Sequence, residues 1–226
     1  MIKKRLSDVR KRIENAKQNK SQDVTLIAVT KTHPPEMINE AIDLGVTDIG
    51  ENKVQEILEK YDKVKPVRWH LIGHLQTNKV KYIIDKVSLI HSVDSIKLMD
   101  EIDRQAEKHK KTMEILIQIN VSGEDTKFGI KMEELEEFLC HAGKLKHVKI
   151  VGLMTILAKL DSEVSKRLQF DNTFNKFVDI SKKKYDNVNM KYLSMGMSGD
   201  FELAVSSGSN MVRVGSAIFG EREYNI

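Results

Sequence analysis

Lys31 ends a β-branched and apolar run, Val24-Thr25-Leu26-Ile27-Ala28-Val29-Thr30, and shares one side of its pleat with Thr25, Ile27 and Val29. A lysine held at such a strand end and stripped of water has a lowered pKa and can form a Schiff base with an aldehyde. The competing reading is a lysine that has left the strand and reaches out to solvent. Arg213 is the second unusual group. In Met211-Val212-Arg213-Val214-Gly215 the two valines suit a helix-facing side, so Arg213 points the other way with Met211 and Gly215. A buried guanidinium needs an acceptor, from a ligand, a carbonyl or the carboxylate of an internal ion pair. Two small-residue segments complete the set: Ser194-Met195-Gly196-Met197-Ser198-Gly199-Asp200 and Gly215-Ser216. Glycines that allow close approach, hydroxyls and amides at helix starts make an anion site. N-capping by Ser198 would account for one of these residues only. Together the two segments favour a phosphate.

Other groups carry less. His70 and His74 are four apart but straddle a strand end and lack the Glu of H-E-x-x-H, so no metal site is expected. Cys140, near Leu135, Phe138 and Leu139, reads as a core filler, and a helical spacing turns His141 away from it. Met195 and Met197 flank a glycine in an expected loop and suit either a pocket wall or plain packing. Glu51, Asn52 and Gln55 follow the second strand. They read as a polar helix start, with Asn52 placed at the same end as Lys31.

Such groups meet only where strand ends converge. Apolar runs fall at residues 24–30, 46–49, 68–72, 87–91, 114–121, 148–154, 190–194 and 211–214, which are eight candidate strands. Helical patterns occupy 35–44, 52–61, 77–85, 95–108, 132–142, 162–184 and 200–207. Strands alternating with helices imply a parallel sheet. Eight such units in about 200–250 residues predict an α/β fold, a single (β/α)8 TIM barrel with its site at the carboxyl ends of the strands. A doubly wound open sheet is the competitor, but no G-x-G-x-x-G follows the first strand. Three prolines and no Ser/Gly-rich linker leave residues 1–226 as one domain. The least ordered stretches expected are 18–23, 122–126 and 182–187.

Composition limits the partners. Of 226 residues, 31% are charged and 40% hydrophobic, and the net charge is +4. Eight basic and two acidic side chains give residues 1–20 a charge of +6, which leaves the remainder at −2. That segment also sets Ile2, Leu6, Val9, Ile13 and Ala16 on one helical face, so an amphipathic helix with a solvated basic side explains it. No aromatic residue interleaves those charges, so neither nucleic acid nor a membrane surface is an expected partner. No apolar run approaches the roughly 18 residues of a membrane span, and no signal-peptide core is present. With a single cysteine, these features point to the cytoplasm.

A lysine at the end of strand one, an anion cradle after strands seven and eight and a buried arginine suit an aldehyde that carries a phosphate. The chain resembles a known family in Ala28-Val29-Thr30-Lys31, Gly50-Glu51-Asn52-Lys53-Val54-Gln55-Glu56 and Trp69-His70-Leu71-Ile72-Gly73-His74-Leu75-Gln76-Thr77-Asn78-Lys79. It continues in His91-Ser92-Val93-Asp94-Ser95, Gln118-Ile119-Asn120-Val121-Ser122-Gly123-Glu124 and Gly152-Leu153-Met154. The last matching segments are Leu193-Ser194-Met195-Gly196-Met197-Ser198 and Val212-Arg213-Val214-Gly215-Ser216-Ala217-Ile218-Phe219-Gly220. These segments are similar to those of the pyridoxal phosphate homeostasis proteins, the YggS/PROSC family.

That resemblance implies a barrel of the alanine racemase N-terminal type with pyridoxal 5′-phosphate (PLP) as cofactor, held as a Schiff base on Lys31. It places Asn52 beside the cofactor. Ser198, Gly215 and Ser216, with the loop amides near Met197, are placed on the phosphate, and Arg213 facing the pyridine nitrogen. Ser216 stands where Thr is common and keeps the hydroxyl. Lys127 matches a family lysine near the mouth, with a solvated loop lysine as the alternative.

Three functions follow as expectations. The first is a PLP-binding protein of vitamin B6 homeostasis and amino-acid balance, with no catalytic residues, whose partners are PLP and recipient apoenzymes. The second is a PLP-dependent racemase or decarboxylase. A racemase needs acid/base groups on both faces of its substrate carbanion, and no segment here encodes the second domain that supplies one in barrel racemases. The third is a cofactor-free Schiff-base aldolase. With no long exposed apolar stripe, a monomer is the default.

Overall fold

Polar and glycine breaks cut the chain into the strand–helix units that its periodicity predicts, and the eight strands close on one another. The structure is a computed structural model that describes residues 1–121, 127–157 and 162–221. Helix α1 (Ile2–Ala16) comes first, followed by β1 (Thr25–Val29), α2 (Pro35–Asp43), β2 (Asp48–Glu51), α3 (Val54–Lys60), β3 (Arg68–Leu71) and β4 (Leu89–Val93). Then come α4 (Ile96–Lys108), β5 (Met113–Ile119), α5 (Leu135–Ala142), β6 (Val148–Thr155) and α6 (Glu163–Ser181). The chain goes on through β7 (Val188–Met197), α7 (Phe201–Ser206), β8 (Met211–Val214) and α8 (Ser216–Phe219). All pairings are parallel, and β1 joins β8 to close the barrel.

Alternation along each strand separates two apolar layers. Ile27, Leu89, Leu116, Val151, Met154 and Met211 fill the barrel interior. Ala28, Ile49, Leu71, Ile90, Val212 and Val214 face the helices in the larger outer core. The expected sides of β1 and β8 are therefore correct.

Helix α1 uses its charges in two ways. Ile2, Leu6, Val9 and Ile13 are buried, each contributing about 1.5–3 kcal/mol. The basic face is exposed, as expected, and two of its arginines also reach neighbouring elements. Arg10 donates to the carbonyls of Leu44 and Gly45 at 3.0 and 2.7 Å, and Arg12 pairs with Glu202 at 2.6 Å and lies over the Phe201 ring. The exposed Arg12–Glu202 pair is worth about 0–1 kcal/mol. Among the described residues no helix is long and apolar enough to cross a membrane.

Several boundaries differ from expectation. The 77–85 pattern forms a 3-10 helix, Thr77–Tyr82, although Val80, Ile83 and Ile84 still reach the core. Strand β7 runs on to Met197, so Met195 and Met197 belong to a strand and not a loop; Gly196 takes φ +94° and the β7–β8 register shifts there. Cys140 is exposed and is not a core filler. On α5 the buried arc is Leu135, Phe138, Leu139 and Ala142, and 100° per residue places Cys140 on the opposite side. The expected turn at 122–126 lies outside the described residues.

Candidate functional site

The carboxyl ends of β1, β2, β7 and β8 surround a cavity of about 310 Å3. Its lining includes Lys31, Asn52, Met197, Ser198, Arg213, Gly215 and Ser216, together with Val29, Ile72, Ile156 and Gly199. The structure thus brings every sequence-predicted site residue to one place. That volume lies at the small end of the ~300–1,000 Å3 typical of ligand pockets.

Each group arrives by its own strand. Lys31 follows β1 in a tight turn: His33 N–H donates to the Thr30 carbonyl at 3.1 Å, and Thr32 sits at φ +67°, a left-handed conformation uncommon outside glycine. The lysine is half-buried. Asn52 follows β2. The backbone after β3 passes so close to it that a Cβ on Gly73 would overlap the Asn52 carbonyl oxygen. Only glycine permits that approach.

Ser198 does not cap α7, whose N-cap is Asp200. Its hydroxyl oxygen instead accepts from the amides of Gly215 and Ala217, at 3.1 and 3.4 Å. The loops after β7 and β8 are thereby tied together, and Asp200 Oδ1 steadies the first by accepting from Met197 N–H at 2.6 Å. Among the described residues, hydroxyls and amides converge here without an acidic side chain in the cavity lining, which suits an anion.

Arg213 is buried at 3% exposure. Its Nη1 donates to Ser194 Oγ at 2.6 Å and its Nη2 to the Thr155 carbonyl at 2.8 Å. These acceptors are neutral, so of the two sequence readings the ion pair is not the one built among the described residues. Burial lowers its pKa to about 10, with Asp200 opposing, which leaves it charged at neutral pH.

Sequence reasoning missed what stands behind Arg213. Ser194 Oγ lies 3.0 Å from His91 Nδ1, His91 Nε2 lies 3.0 Å from His70 Nδ1, and His70 Nε2 lies 2.9 Å from Asp48 Oδ1. One assignment satisfies every partner: Arg213 donates to Ser194, Ser194 to His91, His91 to His70, and His70 to Asp48. Burial, then His70 and Arg213, hold His91 well below its usual pKa, so it is neutral, as this assignment requires. Burial pushes the Asp48 carboxyl up, but hydrogen bonds from His70, Arg68 and Thr47 outweigh this and leave it at about 2. A line of four hydrogen bonds therefore crosses the barrel from a buried cation to an anion at its amino-terminal end. The available signal was polar residues at inward positions of otherwise apolar strands.

His70 and His74 do not act together. His70 belongs to this line, whereas His74 stacks on Phe128 with ring centroids 3.9 Å apart and pairs with Asp94 at 3.4 Å. The Lys127 carbonyl accepts from Asn120 Nδ2 at 3.3 Å.

Comparisons with known proteins agree with this fold. The family model for the alanine racemase N-terminal domain matches residues 5–223. A pyridoxal phosphate homeostasis protein of Aquifex aeolicus is 43% identical over 225 residues, covering 97% of this chain and 98% of that protein. The structure of PipY from Synechococcus elongatus with PLP bound superposes with a TM-score of 0.87 at 31% identity, over 97% of this chain and 100% of PipY. An alanine racemase of Clostridium difficile shares the fold at 16% identity and a TM-score of 0.72, and this chain spans 59% of its length.

Proposed function

The chain belongs to the pyridoxal phosphate homeostasis proteins, with the alanine racemase N-terminal domain as its fold, and from that premise we propose that it binds PLP as a carrier, held as a Schiff base on Lys31. The observation that carries this reading is the convergence of an amine, a buried cation and a hydroxyl-and-amide cradle on one small cavity. The donor set fits the group: Lys31 for an aldehyde, Ser198, Ser216 and the Gly215 loop for a phosphate, Arg213 for a ring nitrogen.

Bound PLP supplies an aldehyde for attachment and, in enzymes, an electron sink. With PLP bound, Arg213 would set a positive charge against the ring nitrogen and disfavour a proton there, which would weaken that sink. Ser194 and the Thr155 carbonyl hold the guanidinium in place. Asn52 offers a neutral hydrogen-bonding side chain beside the ring, and Met197, Ile72 and Ile156 supply apolar walls. Racemisation needs a proton donor or acceptor on each face of the carbanion. Among the described residues that line the cavity, Lys31 is the one side chain with the chemistry of a general acid or base, which supports a carrier over an enzyme. The same reading makes residues 1–226 one cofactor-binding barrel, a cytoplasmic monomer that buffers PLP or passes it to apoenzymes.

Borohydride treatment of PLP-incubated protein is expected to fix a phosphopyridoxyl mass on Lys31. Colourless protein without that adduct would leave a cofactor-free aldolase as the better account. Rapid α-proton exchange of an L-amino acid in deuterated water, lost in Lys31→Ala, would make the protein an enzyme instead. For transfer, loading of an apo-transaminase no faster than free PLP release would leave buffering alone.

A further inference from the structure

The turn that presents Lys31 is held from below by charged residues that the cofactor reading does not use. Lys60, at the end of α3, is buried at 7% exposure. Its ammonium donates to three oxygens: Thr30 O at 3.0 Å, Glu51 Oε1 at 2.8 Å and Glu56 Oε2 at 2.7 Å. Glu56 Oε2 also accepts from Thr32 N–H at 2.7 Å, and Thr30 Oγ1 donates to Glu51 Oε1 at 2.7 Å. The peptide groups on either side of Lys31 are therefore both gripped, the carbonyl before it by Lys60 and the amide after it by Glu56.

Burying such a cluster is expensive. Glu51 is fully buried, and its Oε2 has no hydrogen-bond partner among the described residues. Burial raises its pKa, and Lys60 and Thr30 only partly offset that. Apolar residues of similar volume would commonly serve stability as well or better. What they could not do is hold a left-handed Thr32 and fix the direction in which the preceding side chain leaves the backbone.

We propose that Glu56, Lys60 and Glu51 are positioning residues that set the backbone of Lys31 and, through it, the approach of its amine to an aldehyde. The proposal rests on the PLP reading for its physiological aldehyde, but the geometry it describes belongs to the chain alone. Orientation of a reacting group within an ångström is worth about tenfold to a hundredfold in rate.

Glu56 is the member to change, because its side chain is 17% exposed and its loss leaves a solvent path to Lys60. Apo-protein carrying Glu56→Ala is compared with wild type by amide hydrogen exchange at Thr32 and by the rate of Lys31 modification, mapped by mass spectrometry. Two reagents are used: PLP with borohydride, and formaldehyde with cyanoborohydride, with the exposed Lys144 as internal reference. Thr32 exchange is expected to rise at least about tenfold and Lys31 modification to fall about tenfold by both reagents. Glu56→Gln, which keeps an acceptor oxygen, restores most of the rate. Glu56→Asp, which keeps the charge but shortens the reach, gives a smaller loss in the same direction, and Glu59→Ala on the exposed side of α3 changes nothing. Folded Glu56→Ala protein with wild-type Thr32 exchange and wild-type Lys31 rates overturns the proposal. If PLP never attaches to wild-type Lys31, the cofactor reading fails, while exchange and formaldehyde still decide the role of the cluster.

Discussion

Ser194→Ala cuts the hydrogen-bond line across the barrel at its junction with Arg213. Two groups are left without partners in a fully buried setting: the Arg213 Nη1 proton, previously 2.6 Å from Ser194 Oγ, and the Nδ1 lone pair of His91, previously 3.0 Å from it. An unsatisfied buried group costs about 1–3 kcal/mol, and more when charged. The expected loss is therefore about 3–5 kcal/mol, a large part of the ~5–15 kcal/mol that holds a typical domain together. At about 2–4 °C per kcal/mol for a chain of this size, the melting midpoint should fall by roughly 6–20 °C. PLP retention should fall with it, because the guanidinium is no longer aimed. Differential scanning calorimetry with and without PLP, followed by equilibrium dialysis, reads both quantities. The exposed Ser7→Ala is the control, expected within about 0.5 kcal/mol of wild type. A double-mutant cycle with His91→Phe should be strongly non-additive, since each change breaks the same bond. A shift under 2 °C with unchanged dialysis would refute the claim that the line supports Arg213 (that threshold is about one-third of the smallest shift expected).

Three other outcomes are expected. His91 has a depressed folded pKa, so the unfolded chain takes up its proton first; stability is full above about 6.5 and declines as pH falls, by up to about 1.4 kcal/mol per unit. Urea unfolding between pH 7 and 5 measures that slope, and His91→Asn should flatten it. Below about pH 5, Asp48 adds a second loss of the same sign, complete near its own value of about 2, and worth roughly 2 kcal/mol in all. Gly152→Ala should yield little soluble protein, because a Cβ there runs into the Tyr192 carbonyl of β7 at a φ of +154°. Cys140 should react with a thiol reagent in the native state as fast as in urea, being on the exposed side of α5; slow labelling would restore the core assignment.

The barrel was legible because its strands alternate in a period that no helix shares, and because Lys31 and Arg213 are charged residues inside such runs. The cradle was legible from residue type alone, as small hydroxyl and glycine residues before helices. The line from Arg213 to Asp48 was not. Its members sit on β2, β3, β4, β7 and β8, and His91 and Ser194 are separated by 103 residues. Alternation states that each points inward, but only barrel closure and stagger decide which of them share a level. The Lys60 cluster escaped for a related reason. Lys60 and Glu56 form an ordinary helical i,i+4 pair, usually a surface feature, and only the buried Glu51 beneath them shows otherwise. The capping alternative for Ser198 is the part that fell away: its partners come from the β8 loop and not from its own helix.

The closing of β1 on β8 also dictates when the protein can begin to work. Lys31 is synthesised early and Arg213 with Gly215 late, so the walls of the cavity are nearly the whole chain apart in time. Until β8 has emerged and docked, Lys31 is an ordinary amine in water with no cradle opposite it. Long-range strand pairing of this kind is a late event in assembly. On the proposed reading, PLP capture by Lys31 would therefore report a finished molecule, and a nascent or nicked chain lacking β8 should leave the vitamin in solution.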